Sequence, residues 1–305
     1  MVEPKPSIVL PVILIAVVLV AAGVGTFLLY EKNHPKSSGA AWTVSVGSNV
    51  TVNYIGSFGS GAQKGRVFDT SIFLVAVNNA SYPKSVEFSY RGSKANYTPL
   101  GVSVGPAVPT SGYSIDNITF GGVVTGFWQG LIGLEVGQTS TITIPPSLGY
   151  GLANSSCFVT KPLIFTIPVL ISVPAGTFSS LYPGVNASSG THFTAPTYGW
   201  PALVLSANST AVVVENLPSV GWSVPSIQWP QVVTGLNTTT ITLTNELTSA
   251  DAGVVAGHVS GTGVCGATEF IVSGVNTTAG TYIQDFNREV VGQTLVFTVS
   301  IVARY

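Results

Sequence analysis

Three histidines, two cysteines and one serine set between glycines are the side chains best suited to covalent or metal chemistry, and their spacing argues against each use. Gly101-Val102-Ser103-Val104-Gly105 has the G-x-S-x-G spacing of a nucleophile elbow, which needs a following helix and a histidine base. No helical pattern follows it, and the only bases on offer are His34, His192 and His258. Those histidines and Cys157 and Cys265 lie too far apart for a zinc pattern, and nothing in the sequence calls for a metal or another cofactor. Gly59-Ser60-Gly61 with Gly65 supplies glycines without the spacing or the helix of a dinucleotide-binding turn. These competing motifs mostly fail.

Charge narrows the partners. Charged residues make up 8% of the chain and the net charge is −1, against about 25% charged residues in an ordinary globular protein. Lysines and arginines this sparse cannot neutralise a phosphate track, so nucleic acid is excluded as a partner. Solubility has to come from Ser, Thr, Asn and Gly, or from attached sugars.

Residues 8–30 carry no charge and exceed the roughly 20 residues a helix needs to cross a bilayer. A membrane anchor is expected there. The competing reading is a cleaved signal peptide, for which Ala21-Ala22-Gly23 offers a small-residue site, although signal-peptide cores run only about 7 to 15 residues. Lys5 before the span and Lys32 and Lys36 after it give a weak orientation signal that a long translocated domain overrides. Asn49, Asn79, Asn96, Asn117, Asn154, Asn186, Asn208, Asn237 and Asn276 all stand in Asn-X-Ser/Thr, where composition alone yields about three such sites. The expectation is a glycoprotein, single-pass in the cell membrane, with its soluble part on the extracytoplasmic side. In that compartment Cys157 and Cys265 suit one disulfide, with two buried thiols as the alternative.

The elements that would position any site are mostly strands. Residues 43–46 and 50–54 alternate with period two, and 59–65 reads as a hairpin loop. Residues 124–134 hold the one amphipathic helix, with Val124, Phe127, Trp128, Leu131 and Leu134 at helical spacing and an end expected at Gly137. Strand alternation returns over 139–144 and is stopped by Pro145-Pro146. From 152 to 284 the chain is turn-rich and β-like, and segments 202–214 and 232–243 read as two hairpins about Asn-rich turns, a loose repeat.

The run Gly122-Val123-Val124-Thr125-Gly126-Phe127-Trp128-Gln129-Gly130-Leu131-Ile132-Gly133-Leu134-Glu135-Val136-Gly137-Gln138, continuing to Ile144-Pro145-Pro146-Ser147-Leu148-Gly149-Tyr150-Gly151, resembles the signature of the FKBP-type peptidyl-prolyl cis-trans isomerases. Val50–Gly56 and Gly65–Ser71 resemble that family's pocket-tyrosine strand and its Phe-Asp strand. Residues 285–299 resemble its closing strand, in the form used by the SlyD-like prokaryotic branch, which carries an insert. The resemblance implies a mainly β (α+β) protein with an antiparallel sheet wrapped on a short helix. Its parts would be an anchor and linker over 1–41, an FKBP-like domain over 42–151 with an enlarged flap at 72–116, a β-rich insert over 152–284 and a closing strand over 285–305.

It also implies a cleft made by Tyr54, Phe68, Asp69, Phe127, Tyr150 and Phe297, with Val123 and Val124 binding substrate. Phe127 stands where some members have tryptophan. Rotating an X-Pro bond meets a barrier of about 18 to 20 kcal/mol because amide resonance is lost, and the twisted state has a less polar carbonyl. An apolar aromatic cleft that holds proline and favours the twisted geometry accelerates the rotation without proton transfer. On this resemblance Phe68, Phe127, Phe297 and Val123 enclose the ring, the Val124 N–H and Tyr150 hydroxyl donate to substrate carbonyls, and Asp69 orients the polar side through Tyr54 or the substrate amide. Partners would be proline-containing unfolded or nascent exported polypeptides, with the insert as a folding helper; its large residues Phe193, Tyr198, Trp200, Trp222 and Trp229 would either form the holding surface or fill a core of the insert's own. The alternative is an FKBP-derived binding or cell-envelope module with an idle cleft.

Overall fold

The computed structural model describes residues 42–106, 113–225, 229–259, 261 and 263–305. The expected anchor at 8–30 and the whole linker at 31–41 lie outside the described residues, among which no helix is long and apolar enough to cross a membrane. The chain divides into two compact units, one comprising residues 1–152 and 289–305 and the other Ala153–Arg288.

The first unit is built on one sheet. Its strands are β1 (Asn49–Phe58), β2 (Val67–Thr70), β3 (Leu100–Ser103), β4 (Tyr113–Ile115), β5 (Ile118–Gly121), β6 (Thr139–Ile144) and, numbering on to the end of the chain, β18 (Leu295–Arg304), in the order β4-β5-β3-β1-β18-β6 with β2 also on β1. Val50, Val52, Tyr54 and Phe58 of β1 and Leu295, Phe297, Val299 and Ile301 of β18 are buried. This alternation puts one face of each strand into a common core. All pairs are antiparallel except β3 with β5, which is parallel. The expected flap at 72–116 therefore does more than cover, since it holds a short helix, α1 (Phe73–Val77), and supplies β3 to the sheet. Asp285, read above as part of the closing segment, ends a strand of the second unit instead. Residues 43–46 make only a single bridge, Thr43 to Glu135, rather than a strand.

The helix α2 runs over Thr125–Leu131, shorter than its apolar spacing suggests. Ile132 is already extended at the C-terminal cap, and Gly133 follows with φ +85, a left-handed conformation that glycine tolerates, so the helix stops short of Leu134. Its two internal glycines have a packing reason. A Cβ at Gly126 would lie 2.6 Å from Ile144 and one at Gly130 2.5 Å from Ile142, so α2 can rest directly on β6.

The second unit is a threefold repeat. Phe158-Val159-Thr160-Lys161-Pro162-Leu163, Ile164-Phe165-Thr166-Ile167-Pro168-Val169 and Leu170-Ile171-Ser172-Val173-Pro174-Ala175 are three successive six-residue copies, carrying β7 (Phe158–Pro162), β8 (Ile164–Pro168) and β9 (Leu170–Pro174). Each pairs with one hairpin. The hairpin β11 (Pro201–Ala207) and β12 (Ala211–Asn216) joins β9, β13 (Gln231–Leu236) and β14 (Thr240–Asn245) join β8, and β16 (Glu269–Asn276) and β17 (Thr281–Asp285) join β7. Short strands β10 (His192–Thr194) and β15 (Ala256–His258) and a helix α3 (Ala175–Leu181) complete it. The strands β7, β8 and β9 are each the edge of their sheet, which is where a proline in every copy is tolerated.

The copies match in detail. A bulge follows Val204, Val233 and Val272, each four residues ahead of the turn asparagine Asn208, Asn237 or Asn276. The Trp200 indole N–H donates to Asn216 Oδ1 at 2.9 Å and that of Trp229 to Asn245 Oδ1 at 2.9 Å, in both cases across 16 residues. In the third copy Thr268 and Gln284 hold these places, and the buried Gln284 Oε1 has no partner. Cys157 and Cys265 are bonded, with Cα atoms 5.6 Å apart, which excludes the two-thiol alternative.

Candidate functional site

The aromatic residues named from the sequence meet in the first unit because β1, β2, β18 and α2 converge on one point. The Phe127 and Phe297 ring centres are 4.9 Å apart and nearly perpendicular, Phe68 and Phe297 are 5.5 Å apart, and Tyr54 lies 6.2 Å from Phe127 and 6.1 Å from Phe297. Such edge-to-face contacts add to area burial by setting a positive ring edge on a negative face. Gly56 makes the arrangement possible. It faces Phe297 across the β1–β18 pair, and a Cβ there would come within 2.7 Å of Phe68 and 2.8 Å of Phe297. Phe127, Phe297 and Tyr54 are buried, while Phe68, Val123 and Val124 are half-buried against the same core.

A polar cluster sits at one side of these rings. The Tyr54 hydroxyl donates to Asp69 Oδ2 at 2.6 Å. Arg91 pairs with Asp69 Oδ1 and also donates to the Tyr54 hydroxyl oxygen at 3.1 Å. The Thr70 N–H donates to Asp69 Oδ1 at 2.8 Å. Burial first, and the Asp69 carboxylate next, push the Tyr54 phenol well above the ordinary tyrosine range, with Arg91 opposing them. Tyr54 thus stays a neutral donor through the physiological range. Burial pulls the Arg91 guanidinium down, but Tyr54 and Asp69 more than offset it and the net direction is up.

Sequence reasoning missed Arg91. It lies in the aperiodic stretch 72–116, where no spacing ties it to Asp69, and only the structure brings it there. Its backbone N–H donates to the Tyr97 hydroxyl at 2.8 Å and its guanidinium stands 5.5 Å from the Tyr97 ring centre. Tyr97 in turn packs with Phe73 and Tyr90, with ring centres 5.7 and 6.1 Å away. The scarcity of cations in this chain was the one available signal.

Val124 caps the start of α2, and its carbonyl accepts from the Phe127 N–H at 2.9 Å. Tyr150 is 39% exposed, at the turn after Pro146–Leu148, outside the buried ring set. Ser103, the centre of the G-x-S-x-G spacing, lies on β3 and donates to Asn49 Oδ1 at 3.1 Å, and a Cβ at Gly101 would strike the Thr119 carbonyl at 2.2 Å. This is sheet interior, without an elbow. Among the described residues no group of three or more His, Cys, Asp or Glu could hold a metal ion.

With this geometry in place, comparison with known proteins is informative. Residues 41–170 match the family model of the FKBP-type peptidyl-prolyl cis-trans isomerases, which places an FKBP-type domain in this chain. The chain is 37% identical over 90 residues to the "Short-type peptidyl-prolyl cis-trans isomerase" of Methanocaldococcus jannaschii, covering 30% of this chain and 43% of that protein. It thus spans less than half the length of the curated relative it matches. The mainly β architecture with few helices agrees with an FKBP-like fold. The family match ends before β18, so the strand that carries Phe297 is joined to the domain by its pairing with β1 and β6.

Proposed function

We propose that the first unit is a peptidyl-prolyl cis-trans isomerase of the SlyD-like branch, held at the cell membrane by residues 8–30 and acting on exported or membrane-emerging polypeptides. The observation that carries the catalytic reading is the ring set of Tyr54, Phe68, Phe127 and Phe297 beside the Tyr54–Asp69–Arg91 cluster. In this reading the rings and Val123 enclose proline, and the low-polarity wall favours the twisted amide over either planar form. Asp69, fixed from three directions, sets the polar edge that orients the substrate amide. The Val124 N–H and the Tyr150 hydroxyl donate to substrate carbonyls.

The second unit, in the same reading, holds unfolded client chains. The aromatic residues first considered for this task do not serve it. Trp200 is fully buried, Tyr198 stacks on it at 4.3 Å, and Phe193, Trp222 and Trp229 pack against the unit's cores, because an insert of this size needs a core of its own. What supports the reading instead is the first residue of each six-residue copy. Phe158, Ile164 and Leu170 are 38, 57 and 48% exposed and each opens its own strand, β7, β8 or β9.

A prolyl-tetrapeptide isomerisation assay tests the catalytic reading on the whole chain. The protein should accelerate the reaction, Phe297→Ala should remove most of the acceleration, and Tyr150→Phe should cost about 2- to 13-fold, the equivalent of one hydrogen bond of roughly 0.5 to 1.5 kcal/mol. A wild-type rate equal to that of buffer would instead support an FKBP-derived binding or envelope module with an idle cleft.

A further inference from the structure

The three hairpin tips of the second unit share a feature that the turn itself does not require. Asn208, Asn237 and Asn276 are exposed and occupy the same place in their copies. Asn208 Oδ1 accepts the N–H of Thr210 at 2.8 Å and of Ala211 at 2.9 Å, Asn237 Oδ1 accepts those of Thr239 and Thr240 at 2.8 Å, and Asn276 Oδ1 accepts that of Ala279 at 2.9 Å. Such a turn needs the asparagine alone. Yet threonine follows two residues later every time, as Thr210, Thr239 and Thr278, and only Thr239 uses its hydroxyl on the asparagine, at 3.1 Å. A turn accounts for the Asn and leaves the Thr unexplained, whereas an N-glycosylation acceptor requires both.

We propose that Asn208, Asn237 and Asn276 are N-glycosylated, one sugar on the hairpin tip of each copy in the second unit; this rests on the extracytoplasmic placement proposed above. The amide oxygen is turned back onto the backbone, which leaves Nδ2 as the outward atom of each carboxamide. In the transfer Nδ2 forms a bond to the anomeric carbon of a lipid-phosphate-linked oligosaccharide while the anomeric C–O bond breaks. The lipid phosphate leaves with the electron pair and an amide proton passes to base. The turn carbonyls of Thr210, Thr239 and Gly280 accept from Ala175, Val169 and Leu163. Those anchors are six residues apart in sequence and follow β7, β8 and β9 in turn, so each tip is tied to the end of its own copy's strand. Leu205 and Leu236, 45 and 47% exposed beside two of the tips, are apolar surface that such sugars would cover.

Two other acceptor sequences are built differently. Asn49 is half-buried on β1, where its Oδ1 accepts from Ser103 and Tyr113. Asn96 uses Nδ2 to donate to the carbonyl of Arg91, the residue that holds Asp69. Both are expected to be bare.

Glycopeptide mapping by mass spectrometry of the full chain from its native cells tests this, together with protease accessibility on intact cells to report its side of the membrane. Expected are sugars on Asn208, Asn237 and Asn276, none on Asn49 or Asn96, and loss of one sugar-sized mass step in each of Thr210→Ala, Thr239→Ala and Thr278→Ala. Bare tips in a chain that is cleaved from outside overturn the glycan proposal while leaving its placement intact. Bare tips in a chain protected on intact cells overturn both, and sugars on Asn49 or Asn96 in place of the tips overturn the site assignment.

Discussion

In the first unit a polar cluster is assembled from unlike residues, with Tyr54 and Asp69 separated by 15 positions and Arg91 a further 22 from Asp69. In the second, one indole-to-amide bond is made twice across the same 16 positions, Trp200 to Asn216 and Trp229 to Asn245. Both place polar groups among buried rings, where an unpartnered group is costly. The first unit solves this once, at a single site whose members have no substitutes. The second repeats a solution, and in its third copy the indole is missing and the Gln284 Oε1 is left bare. A repeat tolerates one incomplete copy because neighbouring copies share the strain, whereas a unique site has no copy to lean on.

The largest expected effect comes from the indoles. Trp200 is fully buried and Trp229 only half-buried. Trp200→Ala should therefore lower unfolding free energy by about 3 to 5 kcal/mol and Trp229→Ala by less, measured by denaturant titration. Equal losses would mean that the copies are energetically interchangeable and that the difference in burial has no consequence.

A smaller effect sharpens the contrast within the repeat. Asn216→Leu and Asn245→Leu strand an indole N–H and should each cost about 1 to 3 kcal/mol, whereas Gln284→Leu removes an Oε1 that already lacks a partner and only the 3.3 Å bond from Nε2 to the Tyr282 hydroxyl, and should cost less, about 1 kcal/mol. The same titration decides it, and a Gln284→Leu loss as large as that of Asn245→Leu would show that the third copy is satisfied in solution.

The smallest effect belongs to the first unit. Burial raises the Glu289 carboxyl, against opposing hydrogen bonds from Ser85, Glu87 and Gln63. A carboxyl raised in the folded state binds its proton more tightly there than in the unfolded chain. Its stabilising contribution is full below the ordinary glutamate pKa of about 4.3 and is lost as pH rises through its higher folded value. Glu289→Gln should flatten this part of a plot of Tm against pH just above the glutamate range. An unchanged slope would show that Glu289 ionises as freely folded as unfolded.

Much of this was legible in the sequence where local spacing carries the information. The alternation at 50–54 and 139–144 marked strands because one face of each is buried, and Tyr54, Phe68, Phe127 and Phe297 stand together because β1, β2, α2 and β18 carry them inward, whereas Tyr150 lies at an exposed turn outside that set. The hairpins at 202–214 and 232–243 were readable from two copies. The third copy was not read as a hairpin although it carries the same turn asparagine, Asn276, and the three six-residue copies gain meaning only when each meets its hairpin. The length of α2 was misread, since apolar spacing continues to Leu134 while the backbone leaves the helix at Ile132.

By itself the sequence determined most strands and their apolar faces, because these depend on neighbours a few residues away. Tertiary structure alone decided that β18 lies between β1 and β6, bringing Phe297 to Gly56, and that Arg91 reaches Asp69. Those contacts join residues up to hundreds of positions apart, and which of them form depends on what the rest of the chain leaves uncovered.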